Sequence, residues 1–346
     1  MSQTYQFGIY GCQHGHIETF IGQMLDLGWR CVGIFDPDGS ALAAELSDKY
    51  SIPLLRDLEA LRGEEVRVIG SSVVNNRKLD VIEWCEQHHK HVMLDKPIVT
   101  DRRALERLEA VMHRRVIEVG LLLTERFRDS VFTLKQAIDS GKLGKLVSIT
   151  MRKPHRLRPE TRHAWHFCKE QNGGLIQDLF IHDFDLLRWL SGQEIVGIQS
   201  QIAKHSMPEH PTFYDTASAQ VMMSNGLIAQ LYTDWHTPKL SWTWGDCRLF
   251  ITGTDGCAEL RLSGDPSVEQ LGELYFQITG SEPFKSQELS TPALHITEDF
   301  LARIDNKASV LTVKDIVEAC RATVLADENA VVFHAYLDPK SNDQAN

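Results

Sequence analysis

The 346-residue chain contains no Cys-x-x-Cys pair, no surplus of positive charge and no uninterrupted apolar run near the ~20 residues that a membrane-spanning helix needs. Its seven cysteines, at 12, 31, 85, 168, 247, 257 and 320, are odd in number and scattered. That spacing fits neither a disulfide framework nor a zinc knuckle and points to reduced thiols in a cytoplasmic compartment. With 36 Lys and Arg against 47 Asp and Glu, the formal net charge is −11. Nucleic acid is therefore excluded as a general partner, because affinity for it comes mainly from cations that neutralise phosphates. The start, MSQTYQFGIYGCQHGH, lacks a basic segment followed by an apolar stretch and small cleavage residues, so no signal peptide is expected. Internal repeats and low-complexity segments are also missing. An apolar fraction of 42% and a charged fraction of 24% describe an ordinary globular chain without a membrane partner, long enough for about two domains.

The first third alternates short apolar runs with longer helical patterns, which predicts a parallel sheet with crossover helices. Strands are expected at 6–10, 31–35, 66–69, 91–94 and 116–119, with helices over 17–27, 40–50, 79–89 and 102–113. Near Leu122 the texture changes. A helix over 131–140 ends at Gly141, and alternating strands follow (LVSITM, VGIQSQIA, SAQVMMS, LIAQLYTDW, CRLFIT), punctuated by Ser224-Asn225-Gly226 and by the turn from Gly253 to Gly256. The expected class is α/β. A Rossmann-type, doubly wound parallel sheet over 1–122 is followed over 123–346 by an α+β domain with a large, mostly antiparallel open sheet. The tail from Thr297 to Ala330 returns to helix, and the last residues should fray.

The first strand runs straight into Gly11-Cys12-Gln13-His14-Gly15-His16 and then into an amphipathic helix. A dinucleotide fold needs such a turn so that the backbone can approach a pyrophosphate at a helix N-terminus. Only the first glycine of Gly-x-Gly-x-x-Gly is in place, with Gln13 and His16 at the other two positions and Gly15 adjacent. The second strand ends in Asp36, 25 residues after Gly11, close to the spacing at which a carboxylate meets the adenosine ribose hydroxyls. A carboxylate there would favour NAD over NADP. The alternative is that Asp36 only opens the Pro37-Asp38-Gly39-Ser40 turn or caps a helix.

Two later segments carry chemistry. Leu94-Asp95-Lys96-Pro97 closes a strand at the carboxyl edge of the parallel sheet, where open α/β folds bind ligands. The run GGLIQDLFIHDFD places Asp178 and His182 four residues apart, on one face of a helix, where a carboxylate can orient an imidazole. A helix-capping Asp178 and a structurally satisfied His182 are the competing reading.

Taken in order, GIYGCQHGH, FDPD, HHKHVMLDKP, EVGLLLTERF and GGLIQDLFIHDFDLLRWLSG resemble the Gfo/Idh/MocA oxidoreductases, named for glucose-fructose oxidoreductase and inositol 2-dehydrogenase. The resemblance extends over essentially the whole chain. It implies a Rossmann domain followed by an antiparallel α/β domain, with substrate and nicotinamide meeting between them. By position Lys96, Asp178 and His182 correspond to the family's catalytic trio, and Asn75 to a loop residue lining the cofactor. Departures are Asp95 for the usual Glu, Phe180 for a frequent Gly, Lys78 where His is common, and the degenerate glycine turn.

The expected reaction is hydride transfer between NAD and a secondary alcohol or ketone of a sugar, inositol or related polyol. Cofactor contacts are expected from Gly11, Gln13, His14, Gly15, His16, Asp36, Asn75 and Lys96. Arg152, His155, Arg156, Arg158, His163, Trp165 and His166 are candidates to line a substrate entrance, and no metal is expected. Trp235, Trp242 and Trp244 alternate as strand residues do. An NAD-dependent glycosidase using transient oxidation and a non-catalytic nicotinamide-binding regulator are the competing functions. The open sheet face predicts a homo-oligomer.

Overall fold

The computed structural model describes residues 5–333; the predicted frayed tail lies outside the described residues. The chain divides into two compact units. One comprises residues 1–124, 170–173 and 293–324, the other 125–169, 174–292 and 325–346.

In the first unit β1 (Gln6–Cys12), α1 (Ile17–Asp26), β2 (Arg30–Phe35), α2 (Ala41–Tyr50), β3 (Val66–Ser72), α3 (Lys78–Gln87), β4 (His91–Leu94), α4 (Arg102–Arg114) and β5 (Val119–Leu121) follow one another. The five strands are parallel, in the order β2-β1-β3-β4-β5. From β1 the chain goes to β2 on one side, and β3 lies on the other, so the carboxyl end of β1 is a topological switch point. Phe7, Ile9, Val68, Ile69, Val92 and Leu94 are fully buried, as strands covered on both faces require. β5 starts three residues later than the apolar run at 116–119 suggests, because Arg115 ends α4 in the left-handed region (φ +52°) and the chain needs several residues to turn back. In place of one C-terminal helix there are two, α8 (Ile296–Ile304) and α9 (Val313–Glu328). Between them Asn306 takes φ +56°, and Asp299 accepts from the backbone N–H of Leu311 at 3.1 Å. Arg303 of α8 donates to the Val119 carbonyl at 2.7 Å and pairs with Glu118 at 2.8 Å, which ties that helix to β5.

The second unit holds α5 (Asp129–Asp139), β6 (Leu146–Arg152), α7 (Leu175–Ser191), β7 (Ile195–Ala203), β8 (Thr216–Met223), β9 (Ile228–Asp234), β10 (Arg248–Gly253), β11 (Gly256–Arg261), β12 (Leu274–Thr279), β13 (Lys285–Ser286) and β14 (Val331–Phe333); the single turn α6 (Lys169–Asn172) precedes α7. The nine strands order as β13-β12-β11-β10-β6-β9-β8-β7-β14, with only β6–β9 and β7–β14 parallel. Inward residues such as Ile149, Met151, Val221, Ala229, Leu231 and Leu249 are buried, and α5 and α7 pack on that face. Helix α7 is nearly all apolar or buried and is anchored by Arg126, whose guanidinium donates to both oxygens of Asp185 at 2.9 and 2.6 Å. Leaving either partner of so buried a pair alone costs ~3–5 kcal/mol. The expected strand alternation of three tryptophans is not realised: Trp235 follows β9, and Trp242 and Trp244 sit in the irregular segment before β10.

Candidate active site

In the first unit, β1 delivers the chain to a turn over which Gly11 takes φ +81°; a Cβ there would lie 2.2 Å from Val73 Cγ1, so only glycine fits. The freedom expected of Gly15 is not used in this way, since its φ is not in the left-handed region and open space lies where its Cβ would be. The Gln13 N–H donates to the Ser72 carbonyl at 2.8 Å, and the N–H groups of Ile17, Glu18 and Thr19 turn back to His14, Gly15 and His16 as α1 begins. Ser40 caps α2 through the N–H of Ala43 and donates its hydroxyl to the Cys12 carbonyl at 2.8 Å. Asp36 accepts from the Ser40 N–H at 2.7 Å through one carboxylate oxygen. Its other oxygen, Oδ1, and Gln13 Nε2 are buried with no hydrogen-bond partner among the described residues. Buried polar atoms rarely stay unsatisfied. An orphan acceptor and an orphan donor beside a glycine turn at the switch point suit a ribose diol and its neighbouring phosphates, so these residues fit a dinucleotide. Asp38 is engaged elsewhere, with both oxygens 2.9 Å from Arg77.

At the end of β4, Lys96 is buried and precedes a cis bond to Pro97. Lys78, fully buried at the start of α3, places its ammonium 2.5 Å from Asp95 Oδ1 and donates to the carbonyls of Asp95 and Pro97 at 2.9 and 3.0 Å. Two departures noted in the sequence are thus partners of each other. Asp95 Oδ2 also lies 3.3 Å from His14 Nδ1, and the ring of His14 meets that of His16 edge-on at 4.2 Å. The ligand atoms of His14, His16 and Asp95 fall within 4.8 Å of one another, a cluster with metal-ligand chemistry that the expectation of no metal did not foresee. The Lys78 ammonium on Asp95 opposes a cation there. Asn75 is buried and donates to the Asn172 carbonyl at 2.9 Å.

Gly173, the last residue of a short segment of the first unit, and Gly174, where the second unit resumes, take φ +93° and +90° and lead into α7, of which Gly174 is the N-cap residue. Asp178 lies inside the first turns and is not the cap; it is buried, and half-buried His182 follows one turn later. Beneath them Lys153 is buried between two carboxylates, 3.0 Å from Glu125 Oε2 and 2.7 Å from Asp183 Oδ1. The Lys153 and Arg128 cations draw Glu125 down to about 2 against its own burial, with His182 as a further favourable neighbour. Burial, aided by the Glu125 charge, pushes Asp183 up to about 6. The single cation therefore compensates the two carboxylates unequally, favouring the charge on Glu125.

The expected substrate residues separate. Arg152 lies over the Tyr232 ring at the sheet end of β6. His155 bonds the Lys153 carbonyl through Nδ1 at 2.9 Å and meets Trp235 edge-on at 5.7 Å. His166 is buried among Phe167, Phe213 and Trp235, whereas His163 is exposed. Trp165 keeps a buried indole N–H with no partner among the described residues. Arg162, the last residue of the basic stretch that begins at Arg152, is half-buried over Trp235 at 5.1 Å, and Asp178 is its neighbouring countercharge.

Two family profiles match, one for an oxidoreductase family with NAD-binding Rossmann fold over residues 6–119 and one for a GFO/IDH/MocA C-terminal domain over residues 131–259. The chain belongs to the Gfo/Idh/MocA oxidoreductase family. Inositol 2-dehydrogenase 2 of Saccharopolyspora erythraea is 28% identical over 241 residues, 66% of each protein. Inositol 2-dehydrogenase of Rhizobium meliloti is 29% identical over 237 residues, 67% of this chain and 68% of that protein. The matched segments therefore span about two thirds of these relatives. A crystal structure described as an oxidoreductase from Erwinia carotovora atroseptica superposes with a TM-score of 0.85 over 95% of this chain and 99% of its own, at 24% identity, and so has the same fold. Residues 6–119 carry that oxidoreductase family's NAD-binding Rossmann fold.

Proposed function

We propose that the chain catalyses reversible oxidation of a secondary alcohol on a sugar, inositol or related polyol, with NAD preferred to NADP. The carrying observation is helix α7, which sets Asp178 and His182 one turn apart above the ionised Glu125. Losing a hydride from a carbinol carbon becomes easier as the hydroxyl loses its proton, so a base is needed. His182 takes that proton, supported by the neighbouring carboxylate. Asp178 orients the imidazole or binds an adjacent hydroxyl. Lys96 stabilises the negative charge that develops on the reacting oxygen. Bound nicotinamide accepts or returns the hydride, and the protein supplies position.

Gly11, Gln13, His14, Gly15, His16, Asp36, Asn75 and Lys96 hold the dinucleotide in this reading. Asp36 Oδ1 accepts from the adenosine ribose and would repel a 2′-phosphate, while Arg77, the nearby cation that could receive such a phosphate, is already paired with Asp38. The outward face of the large sheet exposes Met222, Ile228, Phe250 and Ile278, which supports a homo-oligomer. Among the described residues no helix is long and apolar enough to cross a membrane. A cytoplasmic setting belongs to the same reading; burial pushes the Cys12 and Cys31 thiols up to about 12, which keeps them protonated and unreactive.

The test is a panel of inositols, sugars and sugar acids with NAD and NADP, read as reduced cofactor. Lys96→Ala and His182→Ala should each lower kcat by roughly 100-fold or more; the NAD dissociation constant should move less than about threefold in His182→Ala, and in Lys96→Ala, which also removes a dinucleotide contact, by a factor well below the loss of kcat. Wild-type turnover in both variants would remove these roles.

A further inference from the structure

The second unit contains a basic cavity that the roles above leave unused. It measures about 520 Å3 and is lined by Arg156, Arg158, Glu160, Trp235, His236 and Lys239, among others. That volume is within the range of small-ligand sites. Several arginines elsewhere in this acidic chain have carboxylate partners, as Arg107, Arg114 and Arg248 do with Glu83, Glu86 and Asp246. Arg156, Arg158 and Lys239 have no ion-pair partner among the described residues. His236 faces Asp215 at 3.3 Å, which leaves Glu160 as the carboxylate on the wall, and it is exposed.

The cations are also built in. Arg156 donates to the carbonyls of Ser241 and Thr243 at 2.8 and 3.0 Å, and its Nε is buried without a hydrogen-bond partner among the described residues. Arg158 takes φ +49°, a conformation that costs a non-glycine residue ~1 kcal/mol or more, and its guanidinium lies 5.1 Å from the Trp244 ring centroid. A guanidinium stacked on an indole keeps its N–H donors free at the edge, in the planar fork that matches a carboxylate or phosphate. Trp235, buried in the same wall, supplies an aromatic surface of the kind that packs on a sugar ring. It also carries Arg162, whose countercharge is Asp178 on α7. The wall of the cavity is thus joined through one arginine to the carboxylate one turn from His182.

We propose that this cavity binds an anionic group, a carboxylate or phosphate ester, carried by the polyol substrate. The inference rests on the dehydrogenase reading for what is done to that substrate, while its binding element can be tested alone. Quenching of tryptophan fluorescence by glucose, glucuronate and glucose 6-phosphate would be titrated at 50 and 300 mM salt. Glucuronate or glucose 6-phosphate should bind at least tenfold more tightly than glucose at low salt and lose most of that margin at high salt. Which anion shows the margin distinguishes carboxylate from phosphate. The double variant Arg158→Gln, Lys239→Gln should reduce the margin by about tenfold; both residues are exposed, and an unchanged Tm would show that the fold is kept. Equal affinities for neutral and anionic sugars, or a margin that survives in the double variant, overturns the cavity assignment. In a parallel cofactor-reduction assay, a neutral inositol or sugar with kcat/KM as high as any anionic one also overturns it but leaves the dehydrogenase reading standing. Selective anion binding with no reduced cofactor from any polyol overturns the dehydrogenase reading and leaves the cavity standing.

Discussion

Each unit buries a lysine next to a side chain proposed to react, and the two lysines have different work. Lys78, beside the Lys96 segment, meets one carboxylate and two backbone carbonyls, on both sides of Lys96. Lys153, under α7, meets two carboxylates close to His182. The first pair is balanced in charge and fixes the course of the backbone through Asp95 and Pro97. The second is a cation shared by two acids, so one acid stays ionised and the other is driven toward protonation. Burial alone does not say which of these a lysine does; the number of carboxylates around it does.

The comparison breaks most sharply if the two lysines are replaced by methionine. Lys153→Met leaves buried Asp183 without its cation and Glu125 with only the more distant Arg128, 4.0 Å away, and should destabilise the protein by ~3–5 kcal/mol, measured by urea denaturation. Lys78→Met leaves a single carboxylate that faces His14 at 3.3 Å, and a smaller loss of ~2–3 kcal/mol is expected. Its kinetic signature should differ too: a loosened Asp95–Pro97 segment lowers kcat by roughly tenfold or more, and Lys78→Arg, which retains the charge but not the fit, should recover stability better than turnover. If Lys78→Met proves as destabilising as Lys153→Met and leaves turnover unchanged, Lys78 is a charge partner only and the distinction fails.

Much of this fold was legible because its signals are local. Continuous apolar runs bounded by helical periodicity located β1, β2 and β4 within one or two residues and the start of β3, which runs three residues further than expected; alternation located β6 to β10 within one or two residues. The late hairpin strands β11 to β14 carry weaker patterns, and neither the break near Asn306 nor the packing of Arg303 against Val119 leaves a local trace. The sites divide similarly. Spacing placed Asp178 and His182 on one helix face and Asp36 at a strand end. It could not show that Lys78 meets Asp95 across 17 residues, or that Lys153 and Glu125, 28 apart, enclose Asp183, because those pairings depend on which strand ends lie side by side. Nor could it separate Arg152, which leaves along the sheet, from Arg156 and Arg158, which enter the cavity loop.

The smallest effect sharpens the comparison on its electrostatic side. Asp183, at about 6 in the folded protein, lies above its ordinary value of 3.8. A raised acid contributes stability that is fully present below the unfolded value and is lost as pH rises through the folded one. Between pH 4 and 7 the wild type should therefore lose this contribution, while Asp183→Asn, which cannot ionise, should not. Glu125 runs the other way, losing stability as pH falls from its ordinary value toward about 2, but it is common to both proteins and cancels in the difference. The stability of Asp183→Asn relative to wild type should rise by roughly 1–3 kcal/mol between pH 4.5 and 7.5, read by urea denaturation at each pH. A flat difference would mean that Lys153 serves both carboxylates equally. The two buried lysines would then differ only in their neighbours and not in the kind of constraint they impose.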